Sequence, residues 1–214
     1  MNRIELKHVL PEVFVGRDDL HSEIWRQSVT FEKGQKYLIE AASGTGKSSL
    51  CSFIFGNRSD YQGMICFDQL DVRSFSVERW VQIRQRVLGM LFQELRLFPE
   101  LTAFENVLLK NKLTGYSTEK QIRDWFEELG IADKCDQPIG KMSFGQQQRV
   151  AFIRMLCQPA EFFFLDEPVS HLDEMNGSIM AKILTEEANR QGSGVIVTSI
   201  GQRLNLDYTL SLKL

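Results

Sequence analysis

A strand that runs into a glycine-rich loop and then a helix constrains this chain more than any other feature. Tyr37-Leu38-Ile39 is apolar, Ala41–Ser49 reads A-A-S-G-T-G-K-S-S, and Ser48–Phe55 is helical in character. That order is the context a phosphate-binding loop requires. Gly44 and Gly46 let the backbone turn tightly and aim successive N–H groups at phosphate oxygens. The helix N-terminus adds its positive dipole end. Lys47 is placed to reach the β- and γ-phosphates, and the Ser48 hydroxyl to ligate Mg2+. Ala42, Ser43, Thr45 and Ser49 complete the predicted phosphate-contacting stretch. The pattern usually opens with a glycine where this chain has Ala41. Alanine adds one methyl group and tolerates most negative-φ conformations, so the loop is expected to survive it.

A second string, F-F-F-L-D-E-P at Phe162–Pro168, reads as a fully buried strand with two carboxylates at its end. Ligands of parallel α/β sheets sit at that end. Asp166 is suited to hold the magnesium shell, directly or through water. Glu167, one residue on, can polarise the water that attacks the γ-phosphate. The second carboxylate favours hydrolysis over binding alone.

With 214 residues, the chain suits one α/β domain with a helical subdomain. Its net charge of −3 and lack of a basic tract argue against nucleic acid as the main partner. The N-terminus, M-N-R-I-E-L-K-H-V, carries charges where a signal peptide has an apolar run. No apolar stretch approaches the ~20 residues that span a bilayer. The expectation is a cytoplasmic protein whose membrane role requires a separate subunit. Cys51, Cys66, Cys135 and Cys157 lack C-x-x-C spacing and read as reduced thiols packed as small hydrophobes.

Periodicity predicts strands at Ile4–Val9, Ser22–Gln27, Gln35–Glu40, Met64–Phe67, Val87–Phe92, Phe162–Leu165, Val195–Ser199 and Tyr208–Leu212. It predicts helices at Val77–Arg86, Ala103–Lys112 and Asp173–Gln191. Ser117 is a plausible cap for another helix, through Leu129 with Gly130 at its end, and Ser143 for one through Leu156. Polar Gly16–His21 reads as a loop. The helical stretch interrupts the α/β pattern like an insertion.

The string M-S-F-G-Q-Q at Met142–Gln147, continuing Gln148-Arg149-Val150-Ala151, resembles the signature of ATP-binding cassette (ABC) ATPases, L-S-G-G-Q followed by Q-R-V-A. Gln93, 46 residues after Lys47, stands at the position of that family's Q-loop, and Ser170-His171-Leu172-Asp173 resembles its D-loop. Phe92-Gln93, Leu97–Leu101 and Thr102–Val107 are similar to the branch that serves lipoprotein-release, macrolide-export and cell-division complexes. The likeness covers essentially the whole chain.

The resemblance implies an α/β fold: a P-loop NTPase core with a mixed central sheet, an N-terminal antiparallel β subdomain and an inserted helical signature subdomain. One nucleotide-binding domain would span residues 1–214, with its core at about 1–93 and 158–214 and its helical part at about 94–157. It implies ATP and Mg2+ as ligands, with Ser48, Gln93 and Asp166 at the metal and Lys47, Gln93 and Glu167 in catalysis. It further implies a head-to-tail homodimer or cassette dimer in which Ser143, Gly145 and Gln146 of one copy meet ATP held by the other. A separate integral membrane subunit would dock in a cleft between core and helices, at the inner face of the membrane. Phe14 is the register candidate for stacking on the adenine, with Trp25 a second; ordinary core is the alternative for Phe14.

Two positions depart from the family pattern. Phe144 replaces the first glycine of the signature, and either hinders close approach of phosphate or points away and packs. An early helical position favours packing. Where the family carries a switch histidine the chain reads Thr198-Ser199-Ile200-Gly201, and neither Ser199 nor Ile200 replaces an imidazole. His8, His21 and His171 lie in other segments. Slow hydrolysis, or a nucleotide-gated interaction module, is therefore the alternative to a transport ATPase. A soluble ABC protein acting on DNA or ribosomes is a third class, disfavoured by the absence of coiled-coil insertions and basic tracts.

Overall fold

The computed structural model describes residues 1–17 and 19–214. Part of the Gly16–His21 loop, at Asp18, lies outside the described residues.

The strands fall into two sheets. The first is antiparallel: β1 (Arg3–Pro11), β2 (Ser28–Glu32), β4 (Tyr61–Phe67) and β5 (Leu70–Asp71), in the order β2-β1-β4-β5. The second is parallel: β3 (Lys36–Glu40), β6 (Leu88–Leu91), β7 (Phe162–Asp166), β8 (Gly194–Ser199) and β9 (Leu210–Lys213), in the order β6-β7-β8-β3-β9. The pairings expected of a mixed core are thus divided between two sheets. Among the described residues, six α-helices accompany the sheets: α1 (Lys47–Ile54), α2 (Val77–Arg86), α3 (Ala103–Asn111), α4 (Glu119–Glu128), α5 (Phe144–Leu156) and α6 (Glu174–Gln191).

Strand parity explains why the parallel sheet reads as nearly continuous apolar runs. Side chains alternate faces along a strand, and here each face has its own core. Tyr37, Ile39, Phe162, Phe164 and Ile196 enter the core shared with α1 and the antiparallel sheet. Leu38, Phe163, Leu165, Val195 and Val197 enter the core shared with α4, α5 and α6. Every residue of β7 and β8 is consequently buried.

Capping chemistry decides most helix starts. Thr102 and Ser143 each form a reciprocal capping box, with Glu105 and Gln146 respectively. Ser76 caps α2 and Asp173 caps α6. Two expectations need correction. The cap of α4 is Thr118, whose hydroxyl accepts from Gln121 N at 3.2 Å. Ser117 is buried instead, its main chain bonded on both sides by the Asn111 side chain. Ser117 and Thr118 are both good cap types, and Asn111, six residues upstream, settles the choice.

The predicted strand at Ser22–Gln27 is a turn. The Ser22 hydroxyl accepts from the N–H groups of both Ile24 and Trp25, and Arg26 has φ of 63°. Ile24 and Trp25 are both buried, which an alternating strand with one exposed face does not allow. The strand begins at Ser28 and pairs with β1. All four cysteines are free and buried, as packed thiols should be, and burial pushes the thiols of Cys51 and Cys157 up.

Candidate active site

Four parallel strands deliver the site, each from its C-terminal end. β3 leads into the glycine-rich loop, β6 into Gln93, β7 into Asp166 and Glu167, and β8 carries Thr198 between them. The loop is tied to the sheet where Ala41 N donates to Ser199 O at 3.0 Å. It closes on itself where the Thr45 hydroxyl donates to Ala42 O at 2.9 Å. Gly44 and Gly46 have φ of 82° and 96°, the left-handed region that side chains disfavour. Ala42, Ser43, Gly44 and Ser48 are exposed, whereas Lys47 is turned inward. The Ser49 hydroxyl accepts from Arg58 at 3.1 Å.

Lys47 joins the site together. Its ammonium donates to Asp166 Oδ1 at 2.6 Å and to Gln93 Oε1 at 3.2 Å, and lies 2.6 Å from Glu167 Oε1. The Glu167 contact is an ion pair without hydrogen-bond alignment, so this buried carboxylate oxygen keeps no hydrogen-bond partner. Burial opposes the charge on Lys47, but the close contacts and negative charge of Asp166 and Glu167 outweigh it and raise the lysine above its ordinary value. Asp166 Oδ1 also accepts from the Thr198 hydroxyl at 2.6 Å.

Glu167 has φ of 51°, a strained conformation for a non-glycine residue. Its peptide is over-determined on both sides. Its N–H donates to Thr198 O at 3.1 Å, and its carbonyl accepts from Gln148 Nε2 at 3.1 Å. Gln148 Nε2 also donates to Pro168 O at 2.7 Å. Gln148 and Thr198 were not singled out as site residues from sequence. A signal for Gln148 exists: it falls with Ala151, Phe152 and Met155 on one buried stripe of α5, where a glutamine needs a polar partner.

The signature residues open α5, where Ser143 and Gln146 bond each other across the first turn. Ser143 Oγ accepts from Gln146 N at 3.3 Å, and Gln146 Oε1 accepts from Ser143 N at 3.0 Å. Phe144 packs, as its helical position suggested: its ring centroid is 4.3 Å from that of His171, with 43% of the residue exposed. A Cβ on Gly145 would stand 2.9 Å from His171 O, so this turn needs a glycine to sit so close to the loop after β7. The structure does not bring Ser143, Gly145 or Gln146 to Lys47 directly. It links them through Gln148 to the Glu167 turn.

Phe14 and Trp25 both lie beside the phosphate loop, in the core. Phe14 is only 6% exposed, and its ring lies 2.8 Å from where a Cβ on Gly46 would stand, with the Arg17 guanidinium 5.4 Å from its centroid. Trp25 is buried and donates its indole N–H to Thr45 O at 2.8 Å. Both aromatic rings support the loop from within the core. At the end of β8, Ser199 donates to Gln202 O, and Ile200 is exposed. His8 bonds Arg26 O and His171 bonds Ser170, so neither supplies an imidazole to this strand end.

The donor set fits a nucleoside triphosphate with Mg2+. Ser48, Gln93 and Asp166 are hard oxygen donors, the kind Mg2+ takes when substrate phosphates supply further ligands. No cluster of three His, Cys, Asp or Glu suited to a metal occurs among the described residues.

A family profile described as ABC transporter matches residues 25–170. The lipoprotein-releasing system ATP-binding protein LolD of Leptospira interrogans is 33% identical over 172 residues, covering 79% of this chain and 72% of that protein. The ABC transporter ATP-binding protein YtrE of Bacillus subtilis is 30% identical over 202 residues, covering 91% and 87% respectively. In fold, the chain is similar to the dimeric ABC transporter cassette MJ0796, with a TM-score of 0.78 at 24% identity over 92% of this chain and 87% of that one.

Proposed function

The chain belongs to the ABC transporter family, and from that membership we propose that ATP hydrolysis at its Lys47–Glu167 site drives a separate membrane subunit. It is an ATP-binding subunit of the ATPase class. The observation that carries the catalytic assignment is the convergence of Gln93, Asp166 and Glu167 on one buried ammonium.

In this reading the loop N–H groups and Lys47 hold the triphosphate, and the ammonium exchanges its carboxylate contacts for phosphate oxygens. Mg2+, held by Ser48, Asp166 and Gln93, would offset the negative charge of the phosphates. Glu167 accepts a proton from the attacking water as the water oxygen bonds to the γ-phosphorus and the bond to the β-phosphate oxygen breaks. The strained Glu167 backbone, clamped by Thr198 and Gln148, keeps that carboxylate aimed.

The chain further divides into a nucleotide core, about 1–93 and 158–214, and a helical part, about 94–157. Two copies close head to tail over ATP, with Ser143, Gly145 and Gln146 of one copy facing the phosphates bound by the other. The pair sits at the inner face of the membrane against a membrane subunit. LolD is by its name part of a lipoprotein-releasing system, and no helix described here is long and apolar enough to cross a membrane.

Ile200, at the strand end where the family has its switch histidine, favours slow turnover as a second reading. One pair of measurements tests both. Glu167→Gln should bind ATP, hydrolyse it at least ~100-fold more slowly and elute as a dimer with ATP. A monomer in saturating ATP would sink the dimer assignment. Wild-type protein that dimerises with ATP yet shows no turnover would establish the gated module instead.

A further inference from the structure

A second cation reaches the phosphate loop. Arg58 Nη1 donates to Ser49 Oγ at 3.1 Å, from nine residues further along the chain. α1 ends at Ile54, and the chain then doubles back along it. Asn57 N donates to Ser52 O at 2.8 Å, and Arg58 N to the same carbonyl at 3.4 Å. That turn carries the Arg58 guanidinium to the Phe53 ring, 5.4 Å from its centroid. The side chain keeps 43% exposure, so the cation faces water beside the loop.

The other nitrogens of the guanidinium belong to Asp60. Nε of Arg58 donates to Asp60 Oδ1 at 2.9 Å, and Nη2 donates to Asp60 Oδ2. These bonds hold the Asp60 carboxyl below its ordinary value and raise Arg58 above its own. Asp60 is anchored in turn, its carbonyl accepting from Glu12 N at 3.0 Å. A two-pronged carboxylate contact fixes the plane of a guanidinium, which aims Nη1 at the loop. Nη1 carries two N–H groups; among the described residues Ser49 takes one and nothing takes the other.

This contact also settles what the Ser49 hydroxyl can do. A hydroxyl has one proton and two lone pairs. Arg58 occupies a lone pair, and among the described residues the proton has no acceptor, which leaves Ser49 to donate to a ligand. Successive helical residues turn by about 100°, so Lys47 and Ser49 point to different sides of α1. Lys47 turns to the Asp166 and Glu167 carboxylates, at the reacting end of the triphosphate.

We infer that Arg58 is a nucleotide-positioning residue: it turns the Ser49 hydroxyl toward a phosphate of ATP that is not transferred, and its free N–H adds positive charge there. Asp60 competes with that phosphate for the guanidinium and so weakens binding. The inference rests on the ATP-site reading above and adds to it a residue outside the glycine-rich loop.

Calorimetric titration of the full chain with ATP and with ADP, each with Mg2+, tests it. Arg58→Gln should weaken both nucleotides about 5-fold and leave their ratio unchanged, because both carry the phosphate concerned. Asp60→Asn keeps one acceptor for the guanidinium and removes the competing charge. It should tighten both nucleotides about 3-fold, a gain that a damaged fold does not produce. The gain should vanish when Arg58→Gln is added. Unchanged affinity in Arg58→Gln overturns the inference, as does a loss confined to ATP, which would place Arg58 at the transferred phosphate. An Asp60→Asn variant without a gain, or with one that survives Arg58→Gln, overturns it too. Wild-type protein that binds neither nucleotide overturns the ATP site itself and the role of Arg58 with it. Wild-type binding that neither variant changes overturns Arg58 alone.

Discussion

The ammonium of Lys47 lies 2.6 Å from Asp166 Oδ1 across 119 residues of sequence, both side chains 6% exposed. The contact joins the turn after β3 to the end of β7, two strands that are not neighbours. β8 lies between them, and its Thr198 hydroxyl bonds the same Asp166 oxygen. A buried cation held by two carboxylates and an amide is stable in place, yet each of those contacts can be traded for phosphate oxygen.

Removing that cation should therefore affect both stability and binding. Lys47→Met leaves Asp166 and Glu167 facing each other unneutralised, for an expected loss of about 3 kcal/mol by denaturant titration. ATP affinity by calorimetry should fall at least ~10-fold. Lys47→Arg should not rescue binding, because a planar guanidinium does not replace a compact ammonium in so closed a space. Unchanged stability in Lys47→Met would show that the buried pair contributes nothing net.

Gly46 should be intolerant of any side chain. Its φ of 96° is strained for alanine, and an added Cβ would stand 2.8 Å from the Phe14 ring and 3.1 Å from that of Trp25. Gly46→Ala is expected to cost about 2 kcal/mol and to weaken ATP binding. Combining it with Phe14→Ala removes one clash, so the double variant should lose less than the sum of the singles. Strict additivity would mean that Phe14 does not buttress the loop.

Phe144 and His171 should be energetically coupled. Their rings are 4.3 Å apart with an interplanar angle of 59°. A double-mutant cycle to alanine is expected to give about 0.5–1 kcal/mol, at the low end because the phenyl ring is part exposed. A coupling near zero would leave the ring free to swing toward an opposing surface.

Lys110 should give stability a distinctive alkaline dependence. Its folded value is lowered to about 8 from 10.5, by burial first and by Arg154 second. Below pH 8 the lysine is charged in both states and the full cost of burying it is present. Between pH 8 and 10.5 the folded state sheds the proton while the unfolded state keeps it, so stability rises with pH. Lys110→Met should therefore be the more stable protein at pH 7, by of order 1–3 kcal/mol, since partial exposure screens the charge. That advantage should shrink by pH 10.5 in paired denaturation curves. A constant difference across this range would show that the ammonium is not strained.

Much of the site was legible because its strings are local. Strand, loop and helix are consecutive from Tyr37 to Phe55, and Glu167-Pro168 follows Asp166, the last residue of β7, without a gap. Capping needs only a short polar side chain three residues before a free N–H, so the start of α5 could be read directly. The strand predicted at Ser22–Gln27 failed because the Ser22 hydroxyl turned the chain and both Ile24 and Trp25 found core.

By itself the amino-acid order determined which residues could bind phosphate, which could take a proton and where helices begin, since each depends on spacing within one element. Tertiary structure alone decided which of them meet. The order β6-β7-β8-β3 brings Gln93, Asp166, Glu167 and Lys47 to one edge, and no local period encodes that order. It also made Phe14 and Trp25 supports of the loop, turned Gln148 into a clamp on Glu167 and, among the described residues, left Lys110 and Arg154 without an acid. Burial forces polar groups to find partners, and the partner is whichever one the packed fold places within reach.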